Sequence, residues 1–241
     1  MKFKIVSLFV LCAILISCGT SRQGGKKQRK GTKAQVVLTP EQQRKYDYFF
    51  LEASRLKMKD DYSAAFDLLQ HCLTINPNAS SALYEISQYY MYLKQVPQGQ
   101  AALEKAVEND PDNYWYSQGL ASLYQQQNEM QKATNLLESM ATRFSDRMDP
   151  LYSLLDIYNR LEEYDNVITT LNRLEEKMGK NEQLSMEKFR IYLQKKDNQS
   201  AFREIESLVE EYPMDMRYQV ILGDVYMQND KKDEAYNIYK K

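Results

Sequence analysis

The chain has 241 residues, 43% of them hydrophobic, with 8 glycines and 6 prolines, so it can bury a core and holds few residues that interrupt helices. Its formal net charge of −1 conceals a split: the first 40 residues carry eight Lys/Arg and no acid, which leaves 24 basic against 33 acidic residues beyond them. An acidic body is unsuited to neutralising phosphates, which argues against nucleic acid, and one histidine with three cysteines supports neither a disulfide framework nor a histidine-based metal site or triad.

The chain opens with Lys2 and Lys4, followed by the apolar run "IVSLFVLCAILI". A helix needs about 20 apolar residues to cross a bilayer, so this shorter run reads as a secretory signal over 1–17, cleaved after a small residue. "LISC" resembles the bacterial lipobox, with Leu15 three residues before Cys18 and Ser17 directly before it. The resemblance implies that Cys18 receives a diacylglyceryl group, a palmitate-type anchor, and becomes the new N-terminus. Each buried methylene contributes about 0.8 kcal/mol, so two or more acyl chains give a stable anchor. Residues 18–38 then read as a flexible tether, with Gly19, Gly24, Gly25 and Gly31 among polar side chains. Its Lys26, Lys27, Arg29, Lys30 and Lys33 can lie against anionic headgroups. By similarity to Bacteroidota-like envelope lipoproteins, a basic rather than acidic stretch after the cysteine implies an outer-membrane anchor facing the periplasm.

From Thr39 the texture turns helical. Thr39, Pro40 and Gln42 form a capping-box pattern with proline at the first helical position. The body then repeats with a period of 34: Ala65, Gly99, Ala133, Val167, Ala201 and Ala235 form a column of small residues. Four residues after each stand Leu69, Leu103, Leu137, Leu171, Ile205 and Tyr239, and nine before each stand Leu56, Tyr90, Tyr124, Tyr158, Tyr192 and Tyr226. A third column, Ala53, Ser87, Ala121, Leu155, Phe189 and Gly223, precedes the small one by twelve. The tyrosine column, the column twelve before the small one and the apolar positions beside it fall on one face of a helix. Polar turns at 59–61, 127–129 and 229–233 break the helices.

These columns resemble the tetratricopeptide repeat, a helix–turn–helix unit of 34 residues, with its Leu-Gly pair seen as Leu222-Gly223 and its closing proline as Pro77, Pro111 and Pro213. The resemblance implies an all-α α-solenoid of about six repeats forming a right-handed superhelix over 39–241. The units lie near 46–79, 80–113, 114–147, 148–181, 182–215 and 216–241, the last incomplete. Bulky Leu155 and Phe189 depart from the family's small residue, and Ser145 and Gly179 replace its proline. Cys72, in a column with Ala106, Met140, Leu174 and Leu208, reads as a core side chain rather than a nucleophile.

In this family the first helix of each unit lines a concave groove. Carried onto this chain, the inward columns name Phe50, Tyr84, Gln88, Met91, Trp115, Gln118, Tyr152, Asp156, Asn159 and Arg190 as candidate protein-binding residues, with Lys57, Met58 and Tyr92 beside them. Such a groove is aromatic, methionine-rich and amide-rich, which suits an extended peptide or protein segment of the envelope. Trp115, just after "DPDN", is the leading anchor. For Tyr84 and Tyr92 an equal alternative is contact between neighbouring first helices. The Lys/Asn carboxylate clamp of chaperone-binding relatives is not present in these columns.

No signature of catalysis, cofactor binding or phosphate binding occurs, so the chain reads as a non-enzymatic scaffold with no cofactor. The pairs Glu162-Glu163, Glu175-Glu176 and Glu210-Glu211 read as solvated acids, and His71 as an ordinary surface or packing residue. The ending "EAYNIYKK" lies inside a second helix with Tyr236, Ile238 and Tyr239 at an uncapped end. A longer protein is therefore expected, of which this would be a recruiting or regulatory arm for an enzyme domain. Docking of a partner or a second copy on that end is the alternative. Outer-membrane assembly lipoproteins and pilotin-like lipoproteins share the expected architecture.

Overall fold

A computed structural model describes residues 37–240. The signal, Cys18 and nearly all of the tether lie outside the described residues. Those residues form twelve helices and no strand. They pair as hairpins: α1 (Pro40–Lys57) with α2 (Tyr62–Ile75), α3 (Ser80–Tyr92) with α4 (Val96–Asn109), and α5 (Tyr114–Gln126) with α6 (Met130–Arg143). Three more follow: α7 (Asp149–Arg160) with α8 (Tyr164–Met178), α9 (Glu182–Gln194) with α10 (Asn198–Glu211), and α11 (Met216–Gln228) with α12 (Lys232–Tyr239). Each second helix also packs on the first helix of the next pair. A lone hairpin exposes an apolar face, and this stacking buries it.

Local chemistry sets the helix ends. The Thr39 capping box forms as expected: Gln42 N–H donates to Thr39 Oγ1 at 3.2 Å, and Thr39 N–H to Gln42 Oε1 at 2.9 Å. Asp61, Asn113, Asn181, Asp197 and Asp215 cap other helices through their side chains. Every turn inside a hairpin has one left-handed residue: Asp60, Lys94, Asn128, Glu162, Lys196 and Asp230, φ between 57° and 63° and each 34 residues from the last. The next residue's N–H returns to the carbonyl of the tyrosine column, as in Asp61 to Leu56 (3.0 Å) and Glu129 to Tyr124 (2.8 Å). The left-handed residue itself donates to a carbonyl three back, so each turn is a Schellman motif that satisfies two helix-end carbonyls.

The small column is buried in all six hairpins, and the leucine column in the first five. In the sixth, Tyr239 lies across Gly223 where a Cβ would collide with its ring, and its hydroxyl donates to Asp224 Oδ1 at 2.6 Å. Cys72 is fully buried, as expected of a core side chain, and burial pushes its thiol up to about 11. Phe189 is also buried and Leu155 half-buried, so both bulky departures are absorbed into the packing. The tyrosine column adds a ladder between hairpins. Tyr124 donates to Glu104 Oε1 (2.9 Å), Tyr158 to Glu138 Oε1 (3.3 Å) and Tyr226 to Glu206 Oε1 (3.4 Å). Glu104, Glu138 and Glu206 belong to one further 34-residue column.

The first described hairpin differs on the face that no other described hairpin covers. Glu52 stands in the column of buried Ile86, Leu120, Leu154 and Leu222, and Arg55 in that of Leu123, Ile157, Ile191 and Val225. Arg55 Nε donates to Glu52 Oε2 at 2.7 Å. A paired charge thus takes the place of core residues on the face that no described hairpin covers.

Candidate binding face on the first helices

The columns assigned to the groove divide into two groups. Phe50, Tyr84 and Met91 are half-buried and take part in packing. Phe50 stacks on Tyr46 at 5.9 Å, and Tyr84 lies 4.9 Å from the Tyr116 ring of the next first helix. A Cβ on Gly99 would stand 2.6 Å from Met91 Cε, so Met91 fills the space that this glycine leaves. For Tyr84, contact between neighbouring first helices is therefore the arrangement found. Gln118 is half-buried and accepts from the Tyr114 hydroxyl at 3.0 Å.

Gln88, Trp115, Tyr152, Asp156, Asn159 and Arg190 are exposed. Trp115 is 64% exposed at the start of α5, where Asn113 caps its N–H. Its ring meets Tyr114 edge-on at 5.3 Å, with the Arg147 guanidinium 5.6 Å away and 4.0 Å above Tyr114. The Tyr152 hydroxyl approaches Met178 Sδ at 3.3 Å. Arg160 pairs with Asp156 (2.8 Å), and Arg190 with Glu187 (3.3 Å), so these charges are already met locally. Tyr92 is the most exposed large side chain on this face of α3, at 82%.

A cavity of about 290 Å³ opens where the first two hairpins meet, lined by Lys57, Tyr62, Gln88, Tyr89 and Tyr92. Lys57 Nζ contacts Glu85 Oε2 at 2.7 Å, and Tyr62 and Tyr89 meet edge to face at 6.4 Å. Tyr89 is 8% exposed, and its hydroxyl is buried with no hydrogen-bond partner among the described residues. Sequence reasoning named Lys57, Gln88 and Tyr92 but missed Tyr62 and Tyr89. Neither lies in an inward column; Tyr89 stands out among the aliphatic residues of its column, whereas the column of Tyr62 is mixed and holds a second tyrosine, Tyr164.

A second polar feature was also missed. Lys188, 4% exposed, takes the place of the column leucine in the fifth hairpin and pairs with Glu175 (2.9 Å) and Glu204 (3.2 Å). Glu175 is thus no solvated acid. Its other oxygen, Oε1, is buried without a partner, as is Ser185 Oγ. Burial alone would depress the Lys188 pKa, but the hydrogen bonds and charges of the two glutamates outweigh it and hold it above the ordinary lysine range. Glu175 corresponds to Leu73, Val107, Ala141 and Val209, and Glu204 to Leu68, Ala102, Leu136, Thr170 and Ile238. Three nearly apolar columns therefore turn ionic together at one joint. His71 is exposed and only borders Phe49, at 5.7 Å. Among the described residues, no group of three or more His, Cys, Asp or Glu side chains converges as metal ligands would.

Residues 80–113 match the family model of the tetratricopeptide repeat. A tetratricopeptide repeat protein from Parabacteroides merdae has a similar structure, with 16% identity, a TM-score of 0.52, and coverage of 82% of this chain and 78% of that one. The structure of Naa15/Naa10 bound to HypK-THB is similar over 83% of this chain and 31% of that one, with 16% identity and a TM-score of 0.59. No curated protein matches this sequence. At such identities the likeness concerns the fold alone.

Proposed function

The described chain being an array of tetratricopeptide-type repeats, we propose that it acts as a lipid-anchored scaffold, binding extended segments of other envelope proteins along the first-helix face. The observation that carries this reading is the set of aromatic side chains left exposed there: Trp115, Tyr152 and Tyr92. A merely solvated face would be charged. Here, large flat side chains offer contact area and a polar edge, the chemistry of interface anchors. The anchor at Cys18 and the basic tether would hold this acidic body near a membrane, at a reach set by the leash.

The test is photocrosslinking in cells, with a photoreactive residue at position 115 of the full, anchored chain. A discrete adduct with an envelope protein supports the reading. No adduct at 115 or 152, with the chain still folded, overturns it. Cys18→Ser is expected to move the chain from the membrane fraction to the soluble fraction, and an unchanged membrane fraction overturns the anchor.

A further inference from the structure

The repeat register provides an internal control for the cavity between the first two hairpins. At the positions equivalent to Tyr89, the four later hairpins carry Leu123, Ile157, Ile191 and Val225 and the first carries Arg55, none of which brings a hydroxyl. At the positions equivalent to Tyr92 the four later hairpins carry Gln126, Arg160, Gln194 and Gln228, which solvate readily, and the first carries Met58. Only the first joint gathers Tyr62, Tyr89 and Tyr92 around one space. If this joint existed only to stack two hairpins, the leucine or isoleucine used elsewhere would do so without burying a phenol that lacks a partner. A buried, unpaired hydroxyl costs about 1–3 kcal/mol.

We infer that this cavity is a side-chain pocket: it receives one large uncharged apolar residue of a partner polypeptide, whose adjacent backbone carbonyl accepts the Tyr89 hydroxyl. Three observations fix that occupant. The volume of about 290 Å³ is at the low end for ligand cavities, which suits one ring-bearing side chain and not a cofactor. The one charge in the wall, Lys57, is paired with Glu85, so nothing there seeks a charged guest. The buried donor on Tyr89 requires an acceptor beside an apolar group, and a peptide unit next to an aromatic side chain is that combination. Gln88 at the mouth adds an amide that can pair with the next peptide group. The pocket rests on the reading of this face as a peptide-binding surface and would make it directional, with one anchor residue at the joint of the first two described hairpins.

The experiment uses the full chain in detergent, labelled with carbon-13 in its tyrosine rings, titrated with N-acetyl-phenylalaninamide and followed by NMR. Saturable shifts are expected at Tyr62, Tyr89 and Tyr92, with half-saturation in the millimolar range. N-acetyl-glutamate amide and N-acetyl-lysinamide should leave them unmoved. Tyr89→Phe should weaken the phenylalanine probe about 5-fold. It should not weaken toluene, which has the ring without the acceptor. Tyr92→Gln, which installs the residue used by other hairpins at an exposed position, should abolish binding of both while the chain stays folded. In the free chain Tyr89→Phe should leave thermal stability unchanged or higher. Shifts away from these rings, equal binding of the charged probes, or a destabilised Tyr89→Phe chain would each overturn the pocket. A crosslink at 115 would survive that outcome, so the two readings fail separately.

Discussion

The six left-handed turn residues show how little freedom a single position has in this chain. Asp60, Asn128 and Asp230 are residues that tolerate positive φ, but Lys94, Glu162 and Lys196 hold the same geometry at a cost of roughly 1–2 kcal/mol each. Lys196→Gly is therefore expected to stabilise the chain by about 1 kcal/mol in urea unfolding, and Asn128→Gly by much less. Equal effects at both sites would mean that the turn does not store this strain. The buried thiol, the column phenols and Lys188 are all shifted upward. Burial first, then the Glu104 hydrogen bond, raises the Tyr124 phenol; burial and the Glu138 and Glu206 charges raise Tyr158 and Tyr226. Burial raises Cys72 to about 11, and Lys188 is raised by its glutamates. In each case the folded state keeps its proton to higher pH than the unfolded chain. Stability is then fully present below the unfolded values, about 9 for the thiol and 10 for phenols and lysine, and falls as pH rises through the folded ones. Urea midpoints measured from pH 7 to 11.5 should be flat to about pH 9 and then decline, and a flat profile would contradict these burials.

At the scale of an element, the joint between α8, α9 and α10 is the exception in an otherwise apolar stack. Lys188→Leu restores the column residue but strands two glutamates, so it is expected to cost about 3–5 kcal/mol. Adding Glu175→Val and Glu204→Leu completes the apolar columns and should return stability to the wild-type level or above, because the desolvation of three charges disappears. A triple variant as unstable as the single one would show that the space cannot close around aliphatic side chains. The same comparison of columns explains the charged pair of the first described hairpin. Glu52 and Arg55 occupy core positions that no other described hairpin covers.

Across the described array, each hairpin packs mainly on its neighbours, so stability is distributed along the stack rather than held in one centre. The largest continuous core among the described residues runs from Leu103 to Ile191, and a smaller one serves the last two hairpins. Beyond the ionic joint, α11 and α12 lean on that smaller core, with Tyr236 exposed and Tyr239 turned over Gly223. Amide hydrogen exchange should therefore be faster in α11 and α12 than in α5 through α8. Uniform protection would show that the array opens as one unit.

Much of this was written in the chain. The 34-residue register, the helix type, the capping box, the polar turns and the burial of Cys72 could all be read in advance. Each depends on residues within one hairpin, and helical periodicity and cap chemistry are local. The left-handed column was there to be counted too, but without glycine it gave no composition signal. What only the tertiary structure decided lies between hairpins. There Tyr84 became a stacking ring, Glu175 went inside with Lys188, and Tyr62 came to face Tyr89 across a cavity. A side chain at a joint meets residues about 30 positions away on a separate hairpin. Its fate is set by the volume and charge of that neighbour, which no pattern within its own helix encodes.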